Sequence, residues 1–105
     1  MKITEAARLF ECLSSETRLG IYRLLVKQGI EGLVAGEIAR RLGMPPSSVS
    51  FHLKAMTHAG LLSVTQEGRF LRYRADLPLM LELVAYLTQE CCSAPSICAP
   101  AAACA

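Results

Sequence analysis

The stretch "EIARRLGMPPSSVSFHLKAMTHAGLL" (residues 37–62) decides the fold of this chain. Apolar residues recur at helical period on both sides of its central "GMPP". The overlapping segment "LVAGEIARRLG" (33–43) is predicted to form a short helix closed by Gly43. Its apolar residues at helical period are Ala35, Ile38, Ala39 and Leu42. Pro46 stands at a favourable first-turn position for the next helix, which is predicted to end at Gly60. The pattern predicts two short helices separated by a tight turn.

A hairpin is predicted directly after this pair of helices. The stretch "LLSVTQEGRFLRYRAD" (61–76) alternates like two strands around a turn at Glu67 and Gly68. Two such helices followed by a hairpin make a helix-turn-helix with a wing. The sequence therefore predicts a mainly α fold with a small β-hairpin, a winged helix-turn-helix of about five helices and a two-stranded wing.

Apolar spacing also predicts helices before and after this unit. Ser14 is expected to cap a second helix that ends at Gly29. The first helix carries Ile3, Ala6, Ala7, Phe10 and Leu13 at helical period. The last helix, "PLMLELVAYLTQECC" (78–92), carries a stripe of Met80, Leu83, Val84, Leu87 and Cys91. Because so short a chain offers little else to cover these stripes, we predict that they form the interface of a homodimer.

Positive charge is concentrated in the middle of the chain. Residues 40–76 hold six Lys or Arg against two acidic residues, whereas the other residues hold five against seven. A basic middle suits contact with phosphate, and a solvated basic face without a partner is the alternative. No apolar run approaches the ~20 residues that span a bilayer, and Glu5 and Arg8 interrupt the region where a signal peptide would be apolar. We expect a cytoplasmic protein with no membrane partner.

The helix that begins at Pro46 has a side suited to reading DNA. Val49, Leu53 and Met56 share its apolar side. The opposite side presents hydroxyl, aromatic and basic groups, from Ser47, Ser48, Ser50, Phe51 and Lys54. In a helix-turn-helix such groups meet base edges and phosphates in the major groove of double-stranded DNA.

Two aromatic residues and the wing arginines complete the predicted DNA-binding set. Phe51 either packs on a thymine methyl group or touches the core, and His52 either packs within the protein or contacts a phosphate. Arg69 lies at the tip of the wing, and Arg72 and Arg74 lie on one face of a strand. We predict that these arginines reach phosphates or a minor groove, the alternative being that they keep an edge strand soluble.

Three stretches together resemble the winged-helix repressors of the ArsR/SmtB family. They are "LSSETRLGIYRLL" (13–25), the stretch quoted first, and "EGRFLRYRAD" (67–76), and the resemblance covers roughly residues 5–90. It implies a homodimer joined through the first and last helices, binding to an inverted-repeat operator, and release by a thiol-reactive metal or metalloid. It also implies that the helix beginning at Pro46 reads DNA. Pro45 stands where many members have a capping Ser.

The chain departs from two ligand patterns of that family. Its third predicted helix has no cysteine, whereas many arsenic sensors carry a Cys-x-Cys-type pair there, and its last helix has no histidine for the zinc-sensor site. What remains is "QECCSAPSIC" (89–98), where Cys91 and Cys92 are followed by Cys98. This pattern resembles a subset of arsenic repressors.

The chemistry of three thiols favours a metalloid. As(III) or Sb(III) makes three pyramidal bonds to soft thiolates, and Pro95 is expected to end the helix so that Cys98 can join Cys91 and Cys92. We predict one As(III) or Sb(III) per subunit as inducer and no organic cofactor. Cadmium or zinc, for which Cys104 would supply a fourth thiolate, and thiol redox sensing are the alternatives. Cys91 alone also fits a structural role on the apolar stripe.

The resemblance and the thiol chemistry together imply a repressor that As(III) or Sb(III) releases from operator DNA. Residues 1–92 are expected to form the DNA-binding and dimerisation domain, and residues 93–105 a flexible Cys-containing tail. A metal-buffering protein with no DNA role would not need the basic middle. An enzyme is not expected, because a cysteine nucleophile needs a positioned base and the two histidines, His52 and His58, lie far along the chain from the thiols.

Overall fold

The computed structural model describes residues 1–89 of the chain. Five α-helices and three β-strands follow one another in these residues. In chain order they are α1 (Ile3–Leu13), α2 (Glu16–Gln28), β1 (Leu33–Val34), α3 (Ala35–Leu42), α4 (Pro46–His58), β2 (Leu62–Glu67), β3 (Phe70–Ala75) and α5 (Leu77–Thr88). A 3₁₀ turn, Gly29–Glu31, connects α2 to β1. The predicted winged helix-turn-helix with five helices is confirmed.

The wing contains one strand more than the sequence predicts. The three strands form an antiparallel sheet in the order β1-β3-β2, with Leu33 opposite Tyr73 and Val64 opposite the same tyrosine. The prediction of a helix from residue 33 is wrong at its first two residues, because Leu33 and Val34 pair with β3. The hairpin itself is confirmed, and its turn lies at Gly68 and Arg69, one residue later than predicted.

A single apolar core lies between the helices and the base of the wing. Its fully buried side chains come from α2, α3, α4, α5 and the residue before β2, namely Ile21, Leu25, Ile38, Val49, Leu53, Met56, Leu61 and Leu83. Leu83 is only 2% exposed. The predicted stripe on the last helix is therefore wrong at this position, because Leu83 packs inside its own domain and cannot face a second subunit.

The helix ends depend on local capping. Ser15, rather than the predicted Ser14, caps α2, and its side chain accepts a hydrogen bond from the amide of Arg18. The Asp76 carboxylate caps α5 by accepting from the amide of Leu79 at 3.1 Å. The helix then ends at Thr88, with Gln89 extended, so it is shorter than the predicted segment ending at Cys92. The predicted boundary between a domain of residues 1–92 and a tail of residues 93–105 lies outside the described residues.

Gly32 is a position where we expect any side chain to damage the wing. Its φ is +59°, and a Cβ atom built there would lie 2.2 Å from the carbonyl oxygen of Tyr73 in β3. Because the obstacle is backbone, Gly32→Ala should lower the free energy of unfolding by at least about 3 kcal/mol and the melting temperature by at least about 10 °C. Calorimetry measures both quantities.

Gly20→Ala is the matched control for this prediction. Gly20 lies within α2, and a Cβ there meets nothing within 4 Å. The change should raise stability by about 0.5–1 kcal/mol, since alanine loses less backbone entropy in a helix. Equal melting temperatures for the two variants would show that the chain before β1 does not pack this closely against β3.

Candidate nucleic-acid interface

The turn between α3 and α4 sets the direction of the candidate recognition helix α4. Gly43 ends α3 in the left-handed conformation, with φ 63° and ψ 36°. Pro45 is extended and Pro46 begins α4, where the missing amide hydrogen of proline is not needed. No side chain caps the start of α4, where the carbonyl of Pro45 accepts hydrogen bonds from the amides of Ser48 and Val49 at 3.1 and 3.2 Å.

The two sides of α4 differ sharply in exposure. Val49, Leu53 and Met56 are fully buried, which confirms the predicted apolar side. On the other side Ser47, Ser50 and Lys54 are exposed, and Ser48 is half-buried at the margin. The backbone geometry therefore presents hydroxyl and ammonium groups to solvent along one continuous side of a two-helix unit, as a major-groove helix requires.

Phe51 does not belong to the core. Its side chain is 66% exposed on the outer side of α4, and its ring meets the ring of His52 edge to face with centroids 5.6 Å apart. Of the two interpretations that the sequence leaves open for Phe51, core packing is wrong. Contact with a thymine methyl group stays a prediction.

His52 is half-buried and bonded to α2. Its Nδ1 accepts a hydrogen bond from Nε of Arg18 at 3.1 Å. Sequence reasoning missed Arg18, although one signal was available. Arg18 lies in the first turn of α2, where the helix dipole disfavours positive charge, so a tertiary partner for this guanidinium was to be expected.

Two of the three wing arginines are turned toward the protein itself. Arg72 bonds the carboxylate of Glu67 through Nε at 2.9 and 3.0 Å and donates through Nη1 to the carbonyl of Glu31 at 3.0 Å. Arg74 donates to the carbonyl of Ile30 at 2.6 Å and to the hydroxyl of Thr65 at 3.1 Å. The bonds to the two carbonyl groups tie the wing to the 3₁₀ turn, a role that the sequence did not predict.

Arg69 differs from the other two wing arginines. It lies exposed in the turn between β2 and β3, and none of the hydrogen bonds described for residues 1–89 involves its side chain. Phosphate contact by the wing stays a prediction for all three arginines, and the geometry favours Arg69 for it.

Part of the positive charge in the middle of the chain is neutralised within α3. Arg40 and Arg41 both bond the Glu37 carboxylate, Arg41 at 3.1 Å. These two guanidinium groups, Arg40 more than Arg41, hold the pKa of Glu37 at about 2, well below its usual value. The carboxylate is therefore charged at any pH used for DNA binding, and it offsets one of the two positive charges.

We predict that Lys54 and Arg69 contribute most of the salt-sensitive binding. Lys54→Ala and Arg69→Ala should each reduce the slope of log affinity against log salt by about one per subunit, because each removes a phosphate contact that releases a counterion. Arg72→Gln is the control, since the Arg72 guanidinium already has protein partners. Fluorescence anisotropy at a series of salt concentrations measures the slope. An equal loss of slope in Arg72→Gln would mean that Arg72 leaves its partners to bind phosphate.

The predicted ligand residues lie outside the described part of the chain. Cys91, Cys92 and Cys98 all follow residue 89, so their prediction rests on the sequence. Among residues 1–89, Cys12 is buried on α1, and no group of three or more His, Cys, Asp or Glu side chains comes together as a metal site. Within the same residues no helix is both long and apolar enough to cross a membrane.

Comparison with solved structures gives close matches over most of the chain. An ArsR-like transcriptional regulator from Rhodococcus sp. RHA1 superposes with a TM-score of 0.72 at 31% sequence identity, covering 82% of this chain and 78% of that one. A homodimeric winged helix-turn-helix DNA-binding domain from Mycobacterium bovis gives a TM-score of 0.66 at 30% identity, covering 84% of this chain and 82% of that one.

Sequence comparison points to the same class of protein. The HTH-type transcriptional regulator CmtR of Mycobacterium tuberculosis is 38% identical over 74 residues, which are 70% of this chain and 59% of that protein. The arsenical resistance operon repressor of Escherichia coli K12 is 34% identical over 67 residues, 64% of this chain and 56% of that protein. The chain thus aligns with less than two thirds of the length of these relatives. A family model for a helix-turn-helix domain matches residues 13–65. With this match and the likeness to the Rhodococcus protein, the chain belongs to the ArsR family of winged helix-turn-helix transcriptional regulators.

Proposed function

We propose that this regulator represses transcription by binding inverted-repeat operator DNA as a homodimer, and that As(III) or Sb(III) releases it by binding Cys91, Cys92 and Cys98. The observation that carries the DNA-binding part is the exposed side of α4, where polar groups surround Phe51 while the opposite side is fully buried. A helix with one buried and one polar, uncovered side, next to a wing, fits a major groove.

Exposed apolar groups on α1 and α5 support the homodimer. Leu81 is 61% exposed and Val84 50%, both on the side of α5 away from Leu83, and Leu87, one turn after Leu83, is 64% exposed near the end of the helix. On α1, Ile3 is 72% exposed and Phe10 42%. Leu9 of α1 and Leu79 of α5 line one cavity, so the two helices are neighbours. Apolar groups exposed together in this way mark a protein interface, and the Mycobacterium bovis relative is homodimeric.

The inducer is inferred from the chemistry of the three thiols and from similarity to a repressor of known name. Three thiolates satisfy the pyramidal geometry of As(III) or Sb(III), whereas zinc prefers four ligands in a tetrahedron. The Escherichia coli relative is a repressor of an arsenical resistance operon. A soft metal ion or thiol oxidation acting on the same cysteines remains the second candidate, since thiolates bind cadmium and zinc as well.

Parallel titrations of the protein–operator complex test the whole proposal. The full chain, bound to a palindromic duplex under reducing conditions, is titrated with arsenite, antimonite, cadmium and zinc. We expect arsenite and antimonite to release DNA at lower concentrations than either divalent ion. The opposite order would favour a soft-metal sensor, and release by an oxidant alone would favour a redox sensor. A chain that binds the four ligands and no duplex would be a metal buffer.

A further inference from the structure

Arg18 and His52 join the start of α2 to the middle of the recognition helix. Nε of Arg18 donates to Nδ1 of His52 at 3.1 Å, across 34 residues of sequence. An arginine side chain stays protonated in proteins, so it can only donate. Nδ1 must therefore carry the lone pair, and the proton of the neutral imidazole lies on Nε2.

The Nε2 atom of His52 is accessible to solvent. No described hydrogen bond of residues 1–89 uses this atom, and in the same residues no buried side-chain nitrogen or oxygen lacks a partner. Nε2 is therefore accessible at the margin of the exposed side of α4, one turn after Ser48. The ring of Phe51 meets the imidazole edge to face, with centroids 5.6 Å apart. The bond from Arg18 to Nδ1 thus sets the tautomer and, with it, which ring nitrogen carries the N–H group.

We infer that Arg18 is a positioning residue for DNA binding: it holds His52 in the form whose Nε2–H donates to a phosphate oxygen of the operator. This inference rests on the proposed function, because it needs α4 in the major groove. Hydrogen bonds to phosphate fix the register of a recognition helix on the duplex. A neutral donor does so without releasing a counterion, so its contribution should not depend on salt.

A direct role of Arg18 at phosphate is the competing explanation. Arg18 lines a cavity with Arg8 and Glu11, so two guanidinium groups there face one carboxylate. If the guanidinium itself bound phosphate, removing it would flatten the salt dependence. Loss of a hydrogen bond from His52 would lower affinity and leave the slope unchanged. The two explanations therefore differ in a measurable quantity.

A double-mutant cycle on operator affinity tests the inference. We expect Arg18→Met and His52→Ala each to weaken operator binding by about tenfold per half-site. The double variant should bind no worse than either single variant, because both remove the same contact. His52→Gln places an amide donor near the position of Nε2. It should retain most of the affinity, and adding Arg18→Met to it should change little.

The other possible outcomes of this cycle contradict either the inference about Arg18 or the proposed DNA-binding function. Additive losses, or a smaller salt slope in Arg18→Met, would show that Arg18 contacts phosphate itself. Normal affinity in Arg18→Met, with the parent binding operator, would remove the positioning role alone. If the parent bound no palindromic duplex, the proposed DNA-binding function would fail with it.

A measurement on the free parent protein covers the case in which Arg18→Met does not fold. Ring-nitrogen NMR of the neutral histidine should show His52 entirely as the Nε2–H tautomer. A detectable Nδ1–H form would mean that Arg18 does not hold the ring, and the inference would be wrong whatever the variants do.

Discussion

Leu81→Glu should convert the regulator to monomers and reduce operator affinity by ~100-fold to ~10,000-fold. This is the gain in affinity that linking two DNA-binding subunits, one for each half-site, normally provides. Leu81 is 61% exposed in the isolated subunit, on the side of α5 that also carries the half-exposed Val84. A glutamate is harmless there in a monomer, but in a dimer interface its charge would be buried without a partner. Sedimentation equilibrium and operator titration of the same samples measure both effects.

Two changes on the same helix serve as controls for this experiment. Glu82→Gln alters the neighbouring exposed residue and should leave the dimer intact. Leu83→Ala should instead lower the free energy of unfolding by about 2–5 kcal/mol, because Leu83 lies in the core of the subunit. A Leu81→Glu chain that stays dimeric and binds operator with parental affinity would show that the exposed apolar side of α5 is not the interface.

The behaviour of Leu83 shows what apolar spacing can and cannot predict. The period of 3.6 residues correctly identifies α5 and α4, and in α4 it also identifies the buried side, since the opposite side is polar. In α5 apolar residues occupy two sides, one against the core and one exposed. Periodicity alone cannot tell a core side from an interface side, so the prediction that Leu83 lies in the interface is wrong.

The features that the sequence did not predict depend on distant partners. Leu33 and Val34 form a strand only because β3, about 40 residues later, offers unpaired backbone groups. Arg72 and Arg74 turn inward because carbonyl groups of Glu31 and Ile30 lie within reach, 41 and 44 residues away in sequence. A backbone carbonyl carries no residue-specific signal. The sequence pattern therefore predicts a strand face that carries arginines, but it does not predict which groups these arginines bond.

Replacing any one of Cys91, Cys92 or Cys98 with Ser should abolish release of DNA by arsenite and leave operator binding without arsenite unchanged. A ligand can release DNA only if it binds the free dimer more tightly than the bound dimer, and such coupling is typically ~1–3 kcal/mol, or about 5-fold to 150-fold in affinity. Two sites in one dimer can enlarge this effect. Operator titrations with and without arsenite measure it directly for each variant.

Cys12→Ala and Cys104→Ser are the controls for the thiol site. Cys12 is buried on α1, where alanine is a fitting replacement for a small apolar side chain, so release by arsenite should match the parent. If three thiolates bind the ligand, X-ray absorption should show three As–S bonds per subunit, and the Cys104→Ser spectrum should be identical. If arsenite still releases DNA from the Cys98→Ser variant, two thiols are sufficient for the site. A fourth sulfur that disappears in Cys104→Ser would instead favour a tetrahedral thiolate site, and with it a divalent soft metal as the natural inducer.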